Sequence, residues 1–338
     1  MNRCLQLATL GMGSVAPNPM VGALLVHQDR IIGEGYHKKY GEAHAEPNCI
    51  ASMNEEDKDL ISRSTLYVSL EPCVHFGKTP PCVDLILRHQ IPNVIIGCRD
   101  PFEDVNGRGI EKLKNAGVEV EVGILERDCK ELNKRFFTFH QKHRPYIILK
   151  WAQAANRMIG SKNGKRVLIT NEFTTRIVHK WRSEEPAILI GTNTALMDDP
   201  ELTTRLWEGN NPLRLVIDMN LKLPSTLKIF NAKAKTIVFN KIKHEEKNTI
   251  LFYKISDQGS LVHQVIHALY DLKIQTVIVE GGARLLQSFI DEGIWDEARI
   301  ITNGDLLIEN GVEAPELPSG TKIAERQLLS DKIEIFKS

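Results

Sequence analysis

The chain has no surplus of charge of either sign: Lys+Arg and Asp+Glu both number 43 in 338 residues, and the formal net charge is zero. A protein that tracks a phosphate backbone ordinarily carries a basic excess, so the balance points to a small-molecule partner and away from nucleic acid. No stretch approaches the roughly 18 apolar residues that a membrane span needs. The first ten residues set Cys4, Leu5, Leu7 and Ala8 among polar neighbours and read as an amphipathic helix rather than a secretory signal. The expected location is the cytoplasm, with no membrane association. There is no low-complexity tract and no short-period repeat. There is also no GxGxxG, so a Rossmann dinucleotide fold lacks its fingerprint. Cysteine is sparse, with six in the chain. In a cytoplasmic protein that number does not suggest a disulfide framework, and metal binding is the better use for some of them.

What is present is an ordinary globular composition, 42% hydrophobic and 25% charged. The length exceeds one ordinary core and suits two domains of about 150 residues each. Along the first part, apolar runs over 21–26, 31–36, 65–70, 93–98 and 118–122 read as strands. Helices are expected from about 44, over 81–90 and 110–116, and over 126–140. Strands alternating with helices predict a sheet covered by helices. The polar segment Gln141-Lys142-His143-Arg144-Pro145 is the natural boundary, giving domains over 1–144 and 145–338. The second part repeats the α/β style, with strands over 146–150, 187–190, 213–218, 236–239 and 276–280. Helices are expected there over 173–182, 261–272 and 284–291.

One constellation carries chemistry. His44-Ala45-Glu46 is followed by Glu71-Pro72-Cys73, and by Cys82 after eight further residues. Zinc takes imidazole nitrogen and thiolate, and a catalytic site keeps three protein ligands and one open position. His44, Cys73 and Cys82 meet that count. In zinc deaminases the Glu two residues after the His is no ligand and moves protons instead, the role expected of Glu46. Structural zinc sites are closed by a fourth ligand, for which His75 is the nearest spare group. Cys4, Cys49, Cys98 and Cys129 lie in apolar or helical runs and read as small buried hydrophobes.

In the second part, Gly191-Thr192-Asn193-Thr194 and Glu280-Gly281-Gly282 each follow a strand and precede a helix. Such turns can bind phosphate through backbone N–H groups, although they can also be plain strand–helix turns.

The run Pro72-Cys73-Val74-His75-Phe76-Gly77-Lys78-Thr79-Pro80-Pro81-Cys82 resembles the bifunctional riboflavin-biosynthesis deaminase–reductases of the RibD type. Ala16-Pro17-Asn18-Pro19-Met20-Val21-Gly22, Gly33-Glu34-Gly35-Tyr36-His37, Asp100-Pro101 and Asn106-Gly107-Arg108-Gly109 match the same family, as does Asp198-Asp199-Pro200-Glu201-Leu202-Thr203-Thr204-Arg205. The resemblance implies an α/β chain: a cytidine-deaminase-like αβα sandwich followed by a dihydrofolate-reductase-like domain. It implies that Asn18 meets the pyrimidine, and His37, His75 and Lys78 its phosphoribosyl part. Ala152, Thr194, Asp198 and the loop from Gly282 would face NADPH. Lys150, Arg182, Leu202, Arg205 and Glu280 would face the reductase substrate, with two arginines suited to a sugar phosphate and Glu280 to ribose hydroxyls.

The chain departs from the family's pattern in places. Ala154-Ala155-Asn156-Arg157 stands where a Ser-Leu-Asp-Gly-like run is usual, and Arg166 and Leu168 replace a Ser and a Trp. Ser161, Lys162, Lys165 and Arg166 remain candidates for a 2′-phosphate, favouring NADPH over NADH. The expected activity is Zn²⁺-dependent hydrolytic deamination of a diamino-phosphoribosylaminopyrimidine, followed by NADPH reduction of its ribosyl chain. The partners are phosphoribosylaminopyrimidine substrates, and a homodimer or homotetramer is left open. The rival readings are a deaminase with a degenerate reductase half, a nucleic-acid-editing deaminase and a zinc-stabilised scaffold.

Overall fold

The computed structural model describes residues 1–163, 166–256 and 258–338. They form two compact units, Met1–His143 and Arg144–Ser338. No helix among the described residues is long and apolar enough to cross a membrane.

The first unit holds strands β1 (Gly22–His27), β2 (Arg30–Tyr36), β3 (Thr65–Leu70), β4 (Asn93–Cys98) and β5 (Glu119–Val122), in the order β2-β1-β3-β4-β5. β1 is antiparallel to both neighbours, whereas β3, β4 and β5 run parallel. Side chains alternate across a strand, and the core follows that period. Ala23 and Leu25 pack with Ala45 and Cys49 of the helix Ala45–Ala51 and with Val83 and Ile86 of the helix Cys82–Arg88. Leu24, one residue out of phase, packs instead with Cys4 and Leu7 of the helix Asn2–Thr9. The result is the expected αβα sandwich. Cys4, Cys49, Cys98 and Cys129 are fully buried.

One expected helix is two. The run over 126–140 breaks into Glu126–Leu132 and Lys134–Lys142 at Asn133. The Asn133 side chain accepts from the Met20 N–H at 2.8 Å and donates to the Met20 carbonyl at 2.9 Å. A buried side chain that satisfies both backbone groups of a distant loop fixes the place of the break.

The second unit adds β6 (Tyr146–Ala154), β7 (Met158–Ser161), β8 (Ala187–Ile190), β9 (Leu213–Ile217), β10 (Thr236–Asn240), β11 (Glu245–Lys247), β12 (Ile250–Lys254), β13 (Thr276–Val279), β14 (Glu297–Asn303), β15 (Gly311–Glu313), β16 (Thr321–Leu328) and β17 (Asp331–Lys337). Ten of them make one sheet, β11-β12-β10-β9-β8-β13-β6-β14-β17-β16, and β7 pairs with β15 apart. From β12 to β14 all neighbours are parallel, and antiparallel strands close both edges. Val277 and Val279 face the helices Leu261–Asp271 and Ala283–Asp291. Ile278 faces the other way, toward Trp181 of the helix Glu172–Glu184. The same alternation carries Lys150 on β6 and Glu280, just past β13, to the side of that helix.

Candidate active sites

Helix starts and strand ends build the first site. His44 is the N-cap of the helix Ala45–Ala51, which puts Glu46 in its first turn. Cys73 follows the end of β3, and Cys82 opens its helix. His44 Nδ1 lies 3.6 Å from Cys73 Sγ and 3.4 Å from Cys82 Sγ, and the three ligand atoms all lie within 4.8 Å of one another. Bonds of about 2.0 Å to nitrogen and 2.3 Å to sulfur around a tetrahedral centre would put N and S about 3.5 Å apart. The spacing therefore fits zinc. His75 does not join the group: it is exposed, and its ring packs edge-on against Phe102.

The electrostatics suit a metal and a proton carrier. The Cys82 backbone N–H donates to Cys73 Sγ at 3.3 Å. Hydrogen bonds from Cys82 and His44, set against burial, hold the Cys73 thiol down at about 4. Glu46 is 3% exposed. Burial first, then the Cys73 charge, pushes its carboxyl up, with His44 pulling back. A carboxyl raised toward neutrality is what a general acid–base needs.

Around this centre the structure assigns some side chains to tasks other than those expected. His37 is 2% exposed, and its Nδ1 lies 3.0 Å from the Ala43 carbonyl, so Nδ1 carries the proton. Its Nε2 then accepts from Asn18 Nδ2 at 3.1 Å. Burial lowers its pKa, so His37 is a neutral ring that orients Asn18 rather than a cation open to phosphate. Asn18 is left with Oδ1 and one N–H to offer a ligand. Lys78 is exposed, and its Nζ stands 4.0 Å above the Tyr40 ring, a contact that nothing in the sequence foretold. Glu71, next to Pro72-Cys73, is a clamp. It accepts the backbone N–H of Asp100 (3.2 Å), Gly107 (2.9 Å), Gly109 (2.9 Å) and Ile110 (3.3 Å). The Asp100-Pro101 and Asn106–Gly109 motifs are the loop that Glu71 holds. Gly107 has φ +93, and a Cβ there would stand 1.9 Å from Arg99 Nη2, so only glycine serves.

The second site lies where Lys150, Glu280 and the helix Glu172–Glu184 meet. Arg182 donates from Nε and Nη2 to the two Glu280 oxygens at 3.2 and 2.7 Å, and Lys150 Nζ lies 3.9 Å from Glu280 Oε2. Burial raises the Glu280 carboxyl, but Arg182 and Lys150 outweigh it and hold the pKa at about 2. Burial lowers that of Lys150, with Glu280 opposing. The two arginines expected to share a phosphate therefore differ. The Arg182 fork is taken by Glu280. Arg205 spends only Nη1, on Glu201 at 3.1 Å and Thr203 at 2.9 Å. Leu202 is 2% exposed and packs with Ile188, Ile190 and Val216, so it has only backbone to present. His179, one helical turn before Arg182, was missed. Its spacing of three from an expected site residue on a helix was the available signal.

Toward a cofactor, the two strand–helix turns lie side by side, the Gly191 N–H donating to the Gly281 carbonyl at 2.9 Å. A Cβ on Gly282 would come within 3.2 Å of Thr194 Oγ1, and Gly281 has φ +115. Side chains are thus kept out of the crevice at the C-terminal ends of β8 and β13, the usual place for a phosphate-bearing ligand in an open α/β sheet. This fits a dinucleotide. Ala152 is half-buried on β6, beside Val178 and Ile301. The Asp198 carboxyl is raised by burial and drawn back by Arg166. Lys165 lies outside the described residues.

The altered segment keeps its shape. Arg157 has φ +59, the left-handed conformation that glycine would adopt freely. Asn156 donates to the Ile308 carbonyl (3.0 Å) and accepts its N–H (3.3 Å), tying the β6–β7 turn down.

Comparisons with known proteins match both parts of the chain. Residues 1–98 match the cytidine and deoxycytidylate deaminase zinc-binding region, and residues 145–321 match the RibD C-terminal domain. The riboflavin biosynthesis protein RibD of Aquifex aeolicus is 40% identical over 306 residues, covering 88% of this chain and 83% of the relative. That of Bacillus amyloliquefaciens is 36% identical over 329 residues, covering 95% and 87%. A Thermotoga maritima structure described as a diaminohydroxyphosphoribosylaminopyrimidine deaminase/5-amino-6-(5-phosphoribosylamino)uracil reductase superposes with a TM-score of 0.90 at 34% identity, covering 100% of this chain and 97% of the other. Acinetobacter baumannii RibD gives the same TM-score at 29% identity, covering 99% and 97%.

Proposed function

The chain belongs to the RibD family, and from that premise we propose how its residues divide the two reactions of a bifunctional riboflavin-biosynthesis enzyme. It is a zinc-dependent deaminase and an NADPH-dependent reductase, acting on small molecules. We assign deamination to residues 1–144 and reduction to 145–338.

In the first reaction the 2-amino group of a 2,5-diamino-6-(5-phosphoribosylamino)pyrimidin-4-one is replaced by oxygen and leaves as ammonia. His44, Cys73 and Cys82 would hold the metal, which when bound makes water a nucleophile near neutral pH. Glu46 would move the protons at its carboxylate, one from the attacking water to the ring nitrogen and one from the resulting hydroxyl to the departing amine. Asn18, oriented by His37, presents its amide to the pyrimidine. Lys78 and His75, both exposed in the loop between the two thiolates, meet the phosphoribosyl part.

In the second reaction the hydride for the ribosyl carbon would come from bound NADPH, and this domain's residues bind, orient and protonate. Thr194, Asp198, Ala152 and the turn at Gly282 would border the cofactor. Arg205 meets the phosphate with its open edge. Glu280, kept ionised by Arg182, has lone pairs left for ribose hydroxyls. Lys150, whose pKa burial lowers, gives the proton that completes the reduction. We also propose a cytoplasmic location, supported by six free cysteines, and a homodimer or homotetramer.

The observation that carries this reading is the His44, Cys73 and Cys82 triangle with buried Glu46 beside it. Glu46→Gln should keep its zinc by metal analysis and lose ammonia release by at least about a hundredfold, since the amide cannot accept the proton. Ammonia release near wild type would make another group the base.

A further inference from the structure

We propose that His179 is a positioning residue of the reductase site: its Nδ1 fixes the backbone of Arg205 and so aims the open guanidinium edge at the substrate phosphate. The proposal rests on the reading above, that the second domain reduces a phosphoribosylaminopyrimidine.

His179 sits on the helix Glu172–Glu184 and is 3% exposed. The Arg205 backbone N–H donates to its Nδ1 at 3.0 Å. An N–H has no acceptor capacity, so Nδ1 carries no proton and the neutral ring's proton is on Nε2. The surroundings enforce that state. Burial first, then the charges of Arg182 and Arg205, bring the pKa of His179 down to about 4. A cationic ring would lose the acceptor that Arg205 uses.

The other end of Arg205 is held as well. Its Nη1 donates to Glu201 Oε2 at 3.1 Å and Thr203 Oγ1 at 2.9 Å. Glu201 is itself anchored, its Oε1 accepting from Asn231 Nδ2 at 3.1 Å and from Lys233 Nζ at 2.6 Å. Both Nη1 protons are thus spent, and among the described residues Nε and Nη2 are left without a partner. Those two donors form the parallel pair that matches two oxygens of one phosphate. With the corresponding pair of Arg182 occupied by Glu280, Arg205 is the arginine of this site that can receive the phosphate. A side chain fixed at backbone and at Nη1 loses little freedom on binding, and that preorganisation is what His179 contributes.

The test compares His179→Ala, His179→Asn and His179→Gln in the full chain. The probes are 5-amino-6-(5-phosphoribosylamino)uracil and its dephosphorylated analogue. Binding is read by calorimetry, KM and kcat by NADPH oxidation, and folding of the second domain by NADPH binding. The Asn amide oxygen can stand where Nδ1 stands, whereas the Gln amide reaches the place of Nε2. The Ala variant should weaken the phosphorylated probe about tenfold in Kd and KM, the scale of one hydrogen bond, with kcat within about twofold. The dephosphorylated analogue should be little affected, and the Asn variant should recover most of the loss while Gln does not. Unchanged affinity in the Ala variant, equal losses on both probes, or Gln outperforming Asn would overturn the proposal. Should the Ala variant not fold, the comparison of Asn with Gln still decides. A wild-type protein that binds the probe but never oxidises NADPH would refute the underlying reading, and the calorimetric comparison would still judge His179.

Discussion

A histidine kept neutral by burial and neighbouring cations leaves a mark on stability. His179 titrates at about 4 in the folded chain, against about 6.5 when unfolded. As pH falls from 6.5 toward 4, the unfolded ring takes up a proton that the folded ring refuses. Stability is therefore full above pH 6.5, is lost through that window, and is flat in this respect below it. The loss is on the order of 3 kcal/mol. All four tryptophans, Trp151, Trp181, Trp207 and Trp295, lie in the second domain, so their fluorescence reports its unfolding alone. The denaturation midpoint of the wild type should fall between pH 7 and pH 5, and His179→Asn should flatten the fall. A wild-type midpoint constant across that range would mean the ring is not held neutral. At this scale the clustering of His44, Cys73 and Cys82 was legible, because ligand chemistry is written in residue type and spacing. The partnerships of His37 with Asn18 and of Arg182 with Glu280 were not, since sequence does not disclose which of two nearby polar groups will close on the other. Residue identity made Arg182 and Arg205 look equivalent, and only their partners separate them.

Among the elements, the loop after β4 owes its shape to one carboxylate on the neighbouring strand's end. Glu71 accepts four backbone N–H groups and is 4% exposed. Removing it strands the buried donors of that loop, at a position two residues before Cys73. Glu71→Ala should cost the first domain about 3 kcal/mol or more, since bonds to a charged acceptor are individually strong. It should also weaken zinc binding, because the clamp ends at the turn that carries Cys73. Calorimetry and metal titration check both, and a loss under about 1 kcal/mol would show the loop holds itself. β8 and β13 were legible as short, fully buried, largely apolar runs, and β3 and β4 as mostly apolar ones. β14 to β17 at the C-terminal end went unread. β16 is exposed along nearly its whole length, so burial imposes no alternation on it. β6 runs four residues beyond its expected end, and those residues include Ala152. The break at Asn133 was hidden because its cause, the Met20 backbone, lies 113 residues away.

At the scale of the whole molecule, two units each enclose their own core and their own site. Changes in one site should leave the other's chemistry intact. Arg205→Ala and Glu280→Ala should abolish NADPH oxidation and spare ammonia release, and Glu46→Gln should do the reverse when the deaminated intermediate is supplied. Ammonia release lost in a well-folded Glu280→Ala would mean the sites depend on one another. The two-domain plan was legible from length, from the charged Gln141–Pro145 segment and from the family motifs. The departures Asn156 and Arg157 raised the question of a degenerate second half, and the structure answers the local part. Arg157 holds the glycine-like turn at a cost of about 1–2 kcal/mol, and Asn156 ties it to Ile308. The most direct test of the account is the amount of NADPH oxidised against ammonia released when the diaminopyrimidine phosphate is given to the full chain. Equal amounts, with ammonia still released when NADPH is withheld, are expected. Ammonia without any oxidation of NADPH would contradict it.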